Sequence, residues 1–255
     1  ISYNIVTKGS LEDIKNAKLG TKRGRGVNFT CILSDVLISS DYIKKSAKKR
    51  KLKEQLLAIV AQVENKRIYL PPNKLHETIT NIDKSFFENF NDIKLPLKAL
   101  GYNVQLYGFK TYSDLYTTRQ LFSLKTFCDF LPDIQKKIEK DAFNSHIISD
   151  NIPLHKQGKG SKAYSEAIVI FLYFSIAKLA DIANSLCGWG GGFGSQAPVH
   201  LFTRQTISMM WDFAEGNPIG DTAGSFIVRA KGIAKALEKN ILNINNIESR
   251  ISQYD

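Results

Sequence analysis

The sequence predicts an α+β protein that is mainly α, with a small, basic, strand-containing unit at residues 1–75 and a helical body at residues 76–255. Two observations support this. Short β-branched and apolar runs precede residue 73, whereas beyond it the apolar residues recur every three or four positions, as in amphipathic helices. The charge divides at about the same point, with sixteen Lys and Arg against six Asp and Glu before residue 76 and near neutrality afterwards.

Three runs in the basic unit predict strands: Val27–Leu33, Leu56–Val63 and Lys66–Leu70. Each is rich in apolar or β-branched residues, and the third is closed by two prolines. Glu64-Asn65-Lys66 is the predicted hairpin turn, because Asn favours turns. Between the strands, Asp41–Lys53 is predicted to be helical, with Asp41 as its N-cap.

The helical body begins with one or two helices at residues 73–90, and alternation predicts a short strand at Tyr102–Tyr107. Thr117 or Thr118 is expected to cap a helix. That helix has an apolar stripe at Leu121, Leu124, Cys128 and Leu131. Pro132 either kinks this helix or begins the next one, since proline has no amide hydrogen.

Further along, Ala163–Leu186 is apolar on most sides and is predicted to lie at the centre of a helical bundle. Because this stretch carries Glu166, Lys178 and Asp181, a buried helix is expected rather than a membrane span. A glycine-rich connection at residues 188–194 follows. Helices are then predicted at Thr203–Glu215 and Gly224–Glu238.

The segregated positive charge is typical of a surface that binds a polyanion, so DNA is the first partner to consider. The candidate phosphate contacts are Lys22, Arg23, Arg25, Lys44, Lys45, Lys48, Lys49, Arg50 and Lys51. Two alternatives stay open. A lysine-rich helix can simply be a solvated face, or it can pack against an acidic protein surface, in which case the chain would be a structural domain.

A second candidate site lies at two predicted helix starts with similar sequences. Thr117, Arg119 and Gln120 form the first, and Arg204 with Gln205 forms the second. Side chains in the first turn of a helix lie near its positive end, where a phosphate or a carboxylate can bind. A capped, solvent-facing helix start is the alternative.

Metal chemistry is not expected of this chain. Cys31-x-x-Ser34 resembles half of a zinc knuckle whose second Cys has become Ser, and no second pair completes four ligands. A magnesium nuclease built on Asp41, Glu64 and Lys66 is a further alternative, although Glu64-Asn65-Lys66 fits a hairpin turn more simply. The three dispersed cysteines indicate a reducing compartment, so a cytoplasmic protein is expected.

Several blocks resemble the large bacterial and archaeal adenine-specific DNA methylases that carry an uncharacterised N-terminal domain. They occur in the same order between about residues 18 and 238, at Gly20–Ser34, Tyr42–Lys44, Leu57–Ala61, Arg67–Pro72, Asp114–Leu121, Thr126–Asp129, Leu179–Asp181, Ser185–Trp189, Phe202–Gln205 and Met210–Pro218. No single block is diagnostic; the number and order of the blocks carry the resemblance.

The resemblance implies a parent enzyme that transfers a methyl group from S-adenosylmethionine to N6 of an adenine flipped out of the duplex. The family's catalytic Asp-Pro-Pro-Tyr motif and its glycine-rich cofactor motif do not occur here. Asn217-Pro218-Ile219-Gly220 is the nearest string and lacks the aromatic residue. Thr117 and Arg119 resemble a Tyr-Thr-Pro element that lies near the cofactor in other N6-adenine methylases, with Thr118 in place of the proline.

The chain is therefore expected to be the segment between the two motifs of a longer polypeptide, with no catalytic residue and no cofactor of its own. Its expected partners are DNA and the catalytic domain of the same polypeptide, and no membrane is expected. The target sequence and the purpose of the methylation, in restriction-modification, phage defence or otherwise, are left open.

Overall fold

The computed structural model describes residues 3–6, 8–24, 26–64, 66–78, 82, 84–87, 92–97, 101, 103–190, 196–203 and 205–241. The chain forms two compact units. The first comprises Ile1–Asp114 with Thr206–Met209, and the second comprises Leu115–Gln205 with Met210–Asp255. The first unit contains the basic segment 1–75 and extends beyond it. Helices predominate, and the strands are short and antiparallel. The predicted α+β, mainly α class is therefore confirmed.

The first unit opens with helix α1 (Leu11–Leu19), whose N-cap Ser10 and Asp13 form a capping box. Strands β1 (Phe29–Thr30) and β2 (Leu37–Ile38) then pair antiparallel. Lys22 bridges to Phe29 on the other side of β1. The predicted strand Val27–Leu33 is thus only two residues long, because the chain turns at Cys31, whose carbonyl accepts from the amide of Asp35 at 2.9 Å.

Helix α2 (Ser40–Lys48) follows β2 and buries Ile43 and Ala47 against Tyr107. The predicted helix at residues 41–53 exists, but it is shorter, and Ser39 caps it in place of Asp41. The Ser39 hydroxyl accepts the amide hydrogen of Tyr42 at 3.3 Å. The helix stops because Arg50 adopts φ 55°. The amide hydrogens of Arg50 and Lys51 then reach the carbonyls of Ala47 and Ser46, which forms a Schellman motif.

Strands β3 (Ile59–Val63) and β4 (Lys66–Leu70) form a separate antiparallel hairpin, in the register Ile59 opposite Leu70 through Val63 opposite Lys66. The predicted hairpin and the strand Lys66–Leu70 are therefore confirmed. The first strand starts three residues later than its predicted start at Leu56. Glu64, at the turn, has φ 52°.

Helix α3 (Lys74–Thr78) and 3-10 turns at Lys84–Phe87 and Asn103–Tyr107 complete the unit. The strand predicted at Tyr102–Tyr107 is wrong for its described residues 103–107. Val104 and Tyr107 are the buried side chains. Their spacing of three matches a 3-10 helix, which places residues i and i+3 on one side.

The second unit is built from α4 (Thr118–Asn144), α5 (Ser161–Ala180) and α6 (Phe226–Ile241). Thr117 caps α4, as one of the two predicted alternatives had it, and α4 continues through Pro132. Helix α5 packs on both α4 and α6. The core consists of Leu124, Leu131, Ile176, Leu179, Ile182 and Ala183.

The helix predicted at Thr203–Glu215 is wrong: the described residues of this segment have no helix. Their backbone groups pair with distant parts of the chain instead of with the next turn. The amide of Ala214 donates to the carbonyl of Cys187 at 2.6 Å, and the carbonyl of Ile207 accepts from Asn103 at 3.0 Å. Two such tertiary bonds are incompatible with the i to i+4 pairing of an α-helix.

Helix α5 is less enclosed than predicted. It ends at Ala180 rather than Leu186, and Tyr173 and Phe174 are 57% and 50% exposed. Its length and its mean hydropathy of 1.5 would suffice for a membrane span, and no other helix of the described residues passes this test. A core helix of a soluble protein that passes this test is mostly buried, whereas 28% of the tested part of α5 is buried. Helix α5 nevertheless packs on two neighbouring helices. The charged residue Glu166 of α5 is used within the fold, because its carboxylate accepts the amide hydrogen of Leu154 at 2.6 Å.

Candidate nucleic-acid interface

The first basic element of the proposed interface is a tight hairpin that precedes β1. The amide of Arg23 donates to the carbonyl of Asn28 at 2.9 Å, and that of Thr30 donates to Thr21 at 2.7 Å. Gly24 and Gly26 lie between them at φ 61° and 87°, a region that only glycine adopts freely. The hairpin therefore leaves Lys22 and Arg23 exposed on its surface. Arg25 lies outside the described residues.

The second basic element is α2 with the residues that follow it. The buried Ile43 and Ala47 fix one side of the helix to the core, so its lysines must lie on the other sides. Lys45, Lys48, Lys49 and Lys51 are exposed and Lys44 is half-buried. Within the described part of the chain, none of these five ammonium groups is within ion-pair distance of a carboxylate. Their positive charge is available to an external anion.

Arg50 differs from the neighbouring lysines because an acidic partner already holds it. Its Nη2 lies 2.8 Å from Oδ1 of Asp114. The second carboxylate oxygen of Asp114 accepts the amide hydrogens of Lys110 and Thr111 at 2.6 and 3.2 Å. Burial alone would raise the pKa of Asp114. These amide hydrogens and the guanidinium outweigh it and lower the pKa below its ordinary value. Arg50 thus fastens the end of α2 to the 110–114 segment.

The start of α4 uses its polar side chains internally. The Thr117 hydroxyl accepts the amide hydrogen of Gln120 at 3.2 Å, and the Gln120 side chain accepts that of Thr117 at 2.8 Å. Both residues are only 3% exposed. This reciprocal pair is a capping box, which satisfies two backbone donors of the first turn. Neither side chain is presented to an external anion.

Arg119 is likewise engaged within the second unit. Its Nε and Nη2 donate to the two carboxylate oxygens of Glu215 at 3.2 and 2.9 Å, so the pairing is bidentate. Arg204 lies outside the described residues. Of the second predicted helix start, the structure thus describes Gln205, which is exposed and is not part of a helix.

A polar cluster that the sequence did not reveal surrounds Asp181, just after α5. Its carboxylate accepts the amide hydrogen of Phe202 at 2.7 Å and lies 2.6 Å from Nδ1 of His200. The Cys187 thiol donates to the Asp181 carbonyl at 3.4 Å. Only the tertiary fold joins these residues, since each is ordinary in its own sequence context.

The chemistry of that cluster is structural. Cys187 is 0% exposed, and burial raises the pKa of its thiol to about 11, so it is a protonated thiol at neutral pH. Burial also raises the pKa of Tyr116 to about 12, with contributions from Cys187 and Asp181. A buried, protonated thiol is not a nucleophile. The Asp181–His200 pair serves to join the 200–202 segment to the end of α5.

The two carboxylates considered for a magnesium site are exposed. Glu64 lies in the hairpin turn and Asp41 on the first turn of α2, both exposed. The hydroxyl of Ser34 lowers the pKa of the Cys31 thiol by hydrogen bonding within a tight turn. Among the described residues, no three His, Cys, Asp or Glu side chains lie close enough together to hold a metal ion.

Comparison with known proteins finds no relative: no family model, no curated protein and no solved structure matches this chain. Exposed lysines without carboxylate partners, on a helix fixed by its apolar side, can neutralise phosphates. They supply positive charge.

Proposed function

We propose that this chain is the DNA-contacting or supporting domain of an S-adenosylmethionine-dependent adenine-N6 DNA methyltransferase. The chemistry would belong to a catalytic domain of the same polypeptide, in the cytoplasm, and this chain would hold no cofactor itself. One observation supports the DNA contact best. Lys44, Lys45, Lys48, Lys49 and Lys51 lie on or directly after one short helix, with no carboxylate partner among the described residues.

The charge of the first unit supports the same proposal. The unit has twenty Lys and Arg against eleven Asp and Glu, and thus a net charge of +9. A field of this sign concentrates a polyanion at the surface before specific contacts form. Lys22 and Arg23, on the exposed hairpin beside β1, add to it. The methyltransferase part of the proposal is supported by the ordered sequence blocks.

The experiment is a fluorescence-anisotropy titration of the chain with a labelled DNA duplex at several salt concentrations. Each phosphate that a lysine neutralises lowers log K by about 0.9 per decade of salt. The combined variant Lys48→Ala, Lys49→Ala and Lys51→Ala is expected to weaken binding and to flatten this slope. The matched control replaces Lys231, Lys235 and Lys239, three exposed lysines of α6 in the second unit. It removes the same charge and should leave the slope nearly unchanged.

Equal slopes for the two triple variants would contradict the proposed phosphate contacts, because net charge alone would then explain binding. Addition of S-adenosylmethionine should not change the DNA affinity of this chain, since the cofactor motif is absent from it. A cofactor-dependent affinity would instead place a cofactor contact here.

A structural or protein-interaction domain without nucleic-acid binding is the second candidate. One observation favours it: Ile170, Tyr173, Phe174 and Ala177 of α5 are all exposed and recur at helical spacing. Such a stripe is apolar surface that a protein partner commonly covers. The partner proposed is the catalytic domain of the same polypeptide. Absence of DNA binding at low salt, with retained folding, would favour this candidate.

A further inference from the structure

The β3–β4 hairpin is a separate two-stranded ribbon, and most of the side chains on both of its faces are exposed. Residues opposite one another in its register share a face, so Val60 lies beside Tyr69 and Gln62 beside Arg67. All four are exposed. On the other face Ile59 and Ala61 are partly covered, although their neighbours Ile68 and Leu70 are 36% and 40% exposed. The ribbon therefore turns a polar and aromatic face outward.

An exposed ribbon of this kind needs a reason, because a two-stranded hairpin is marginally stable by itself. The outward face combines side chains that match base edges. Arg reads guanine O6 and N7, Gln reads adenine N6 and N7, and apolar or aromatic groups contact the thymine methyl. The two residue pairs on this face offer all three kinds of contact, through Arg67, Gln62, and Tyr69 with Val60.

The dimensions fit the same partner. Two antiparallel strands lie about 5 Å apart, and five residues extend about 17 Å. The major groove of B-DNA is about 12 Å wide and accepts a two-stranded ribbon. The Gln62 amide donates to the Glu64 carbonyl at 3.1 Å, which holds this side chain at the turn end of the strand.

Charge also favours nucleic acid as the occupant. Lys66 and Arg67 lie on the ribbon and Lys53 precedes it, against Glu54 and Glu64. The whole unit carries the surplus of positive charge described above. A peptide strand added to the ribbon edge would use its backbone groups instead and would give no reason for Gln62 and Arg67 to face outward together.

We propose that the β3–β4 ribbon enters the major groove of duplex DNA and reads base sequence through Gln62 and Arg67, with Tyr69 and Val60 against thymine methyls. This inference rests on the proposed DNA-contacting function and assigns it a specificity element. The lysines of α2 supply affinity without regard to sequence, while the ribbon selects the site.

The test begins with selection from DNA duplexes that have a randomised central segment, with the full chain as the binder. Affinities are then measured for the selected duplex and for a scrambled duplex of equal composition. Gln62→Ala is neutral in charge, and Arg67→Lys keeps the charge but loses the bidentate fork. Each is expected to lower affinity for the selected duplex by about 5- to 140-fold, as one bidentate base contact would, and to leave the scrambled duplex within about twofold.

The matched control is Lys48→Ala, which should weaken both duplexes equally. The chain should not prefer an RNA duplex of the selected sequence over a scrambled RNA duplex, because side chains cannot read the deep, narrow major groove of A-form RNA. Circular dichroism of each variant verifies folding, and both ribbon positions are exposed.

The outcomes separate this inference from the function on which it rests. Binding to no duplex at low salt overturns the proposed function. Salt-dependent binding without any sequence preference overturns the ribbon as a reader and leaves the function intact. A preference that survives both ribbon variants, or that persists on RNA, also overturns it.

Discussion

The guanidinium of Arg50 contacts Asp114 at 2.8 Å from a backbone conformation, φ 55°, that favours glycine. An arginine there accepts backbone strain at the end of α2 in order to place its side chain on Asp114. The Asp114 side chain is 11% exposed and that of Arg50 is 68% exposed. The carboxylate is thus the fixed member, held by two amide hydrogens, and the arginine reaches it from the surface.

Asp114→Asn is expected to destabilise the first unit at pH 7, by about 1–3 kcal/mol, since a buried charged acceptor is lost. The folded-state pKa of Asp114 is below the unfolded value. Its contribution to stability is therefore fully present above about pH 4 and is lost as the pH falls through the folded pKa. Urea unfolding is followed by circular dichroism at pH 7, 5 and 3. The difference in unfolding free energy between wild type and variant should be smallest at pH 3.

The control is Asp133→Asn, which removes an exposed i,i+3 pair with Lys136 at 3.4 Å. A surface pair of this kind contributes little, so no measurable change is expected. A pH-independent loss in Asp114→Asn would mean that the packing of the side chain matters and its charge does not.

Thr117→Ala removes the hydroxyl that caps α4 and is expected to cost about 1–2 kcal/mol of unfolding free energy. Thr117→Ser keeps the hydroxyl and should restore most of that loss. The neighbouring Thr118→Ala provides the matched control, because Thr118 is inside the helix and is not its cap. The midpoint of thermal unfolding measures all three, and equal loss in the Ser and Ala variants would refute the capping role.

Arg119 and Glu215 are expected to be energetically coupled, because the contact is bidentate and both side chains are about 30% exposed. A double-mutant cycle with Arg119→Ala and Glu215→Ala should give a coupling free energy of about 0.5–1 kcal/mol. Arg119→Lys should lose much of it, since lysine lacks the planar fork. Unchanged DNA affinity in Arg119→Ala is also expected; reduced affinity would restore Arg119 as an anion contact.

Local signals predicted several elements well. Lys66–Leu70 contains apolar and β-branched residues, is followed by two prolines and is β4 as predicted. The hydroxyls before the apolar stripe predicted a cap at Thr117 or Thr118, and Thr117 is the N-cap. The prediction of Asp41 as the α2 cap is wrong, and the serines directly before it are good capping residues as well. Only the geometry of the chain leaving β2 selects Ser39.

Tertiary pairing explains the errors. Ile207 and Ala214 use their backbone groups on Asn103 and Cys187, and no local pattern shows such partners. The same holds for the basic surface. The density of charge predicted the exposed lysines on α2. It did not predict that Arg50 pairs with Asp114, because Asp114 is 64 residues away in the sequence.

The exposed stripe on α5 yields the last expectation. Tyr173 and Phe174 are at least half exposed, so Tyr173→Asn with Phe174→Asn should leave the fold intact and reduce apolar surface. If this stripe meets a catalytic domain in the parent protein, the chain alone should self-associate as its concentration rises, by pairing stripe on stripe. Sedimentation velocity over a hundredfold concentration range should show this for wild type and not for the double variant.

Phe143→Asn is the matched control, since Phe143 is 60% exposed on α4 and does not belong to the stripe. It should self-associate like wild type. Flotation with neutral phosphatidylcholine vesicles tests the membrane alternative that the length and hydropathy of α5 raise. Because Glu166 and Lys178 lie on α5, and burying either charge in a bilayer is costly, the wild-type chain should stay unbound. Vesicle binding that the double variant abolishes would make this stripe a membrane contact rather than a protein interface.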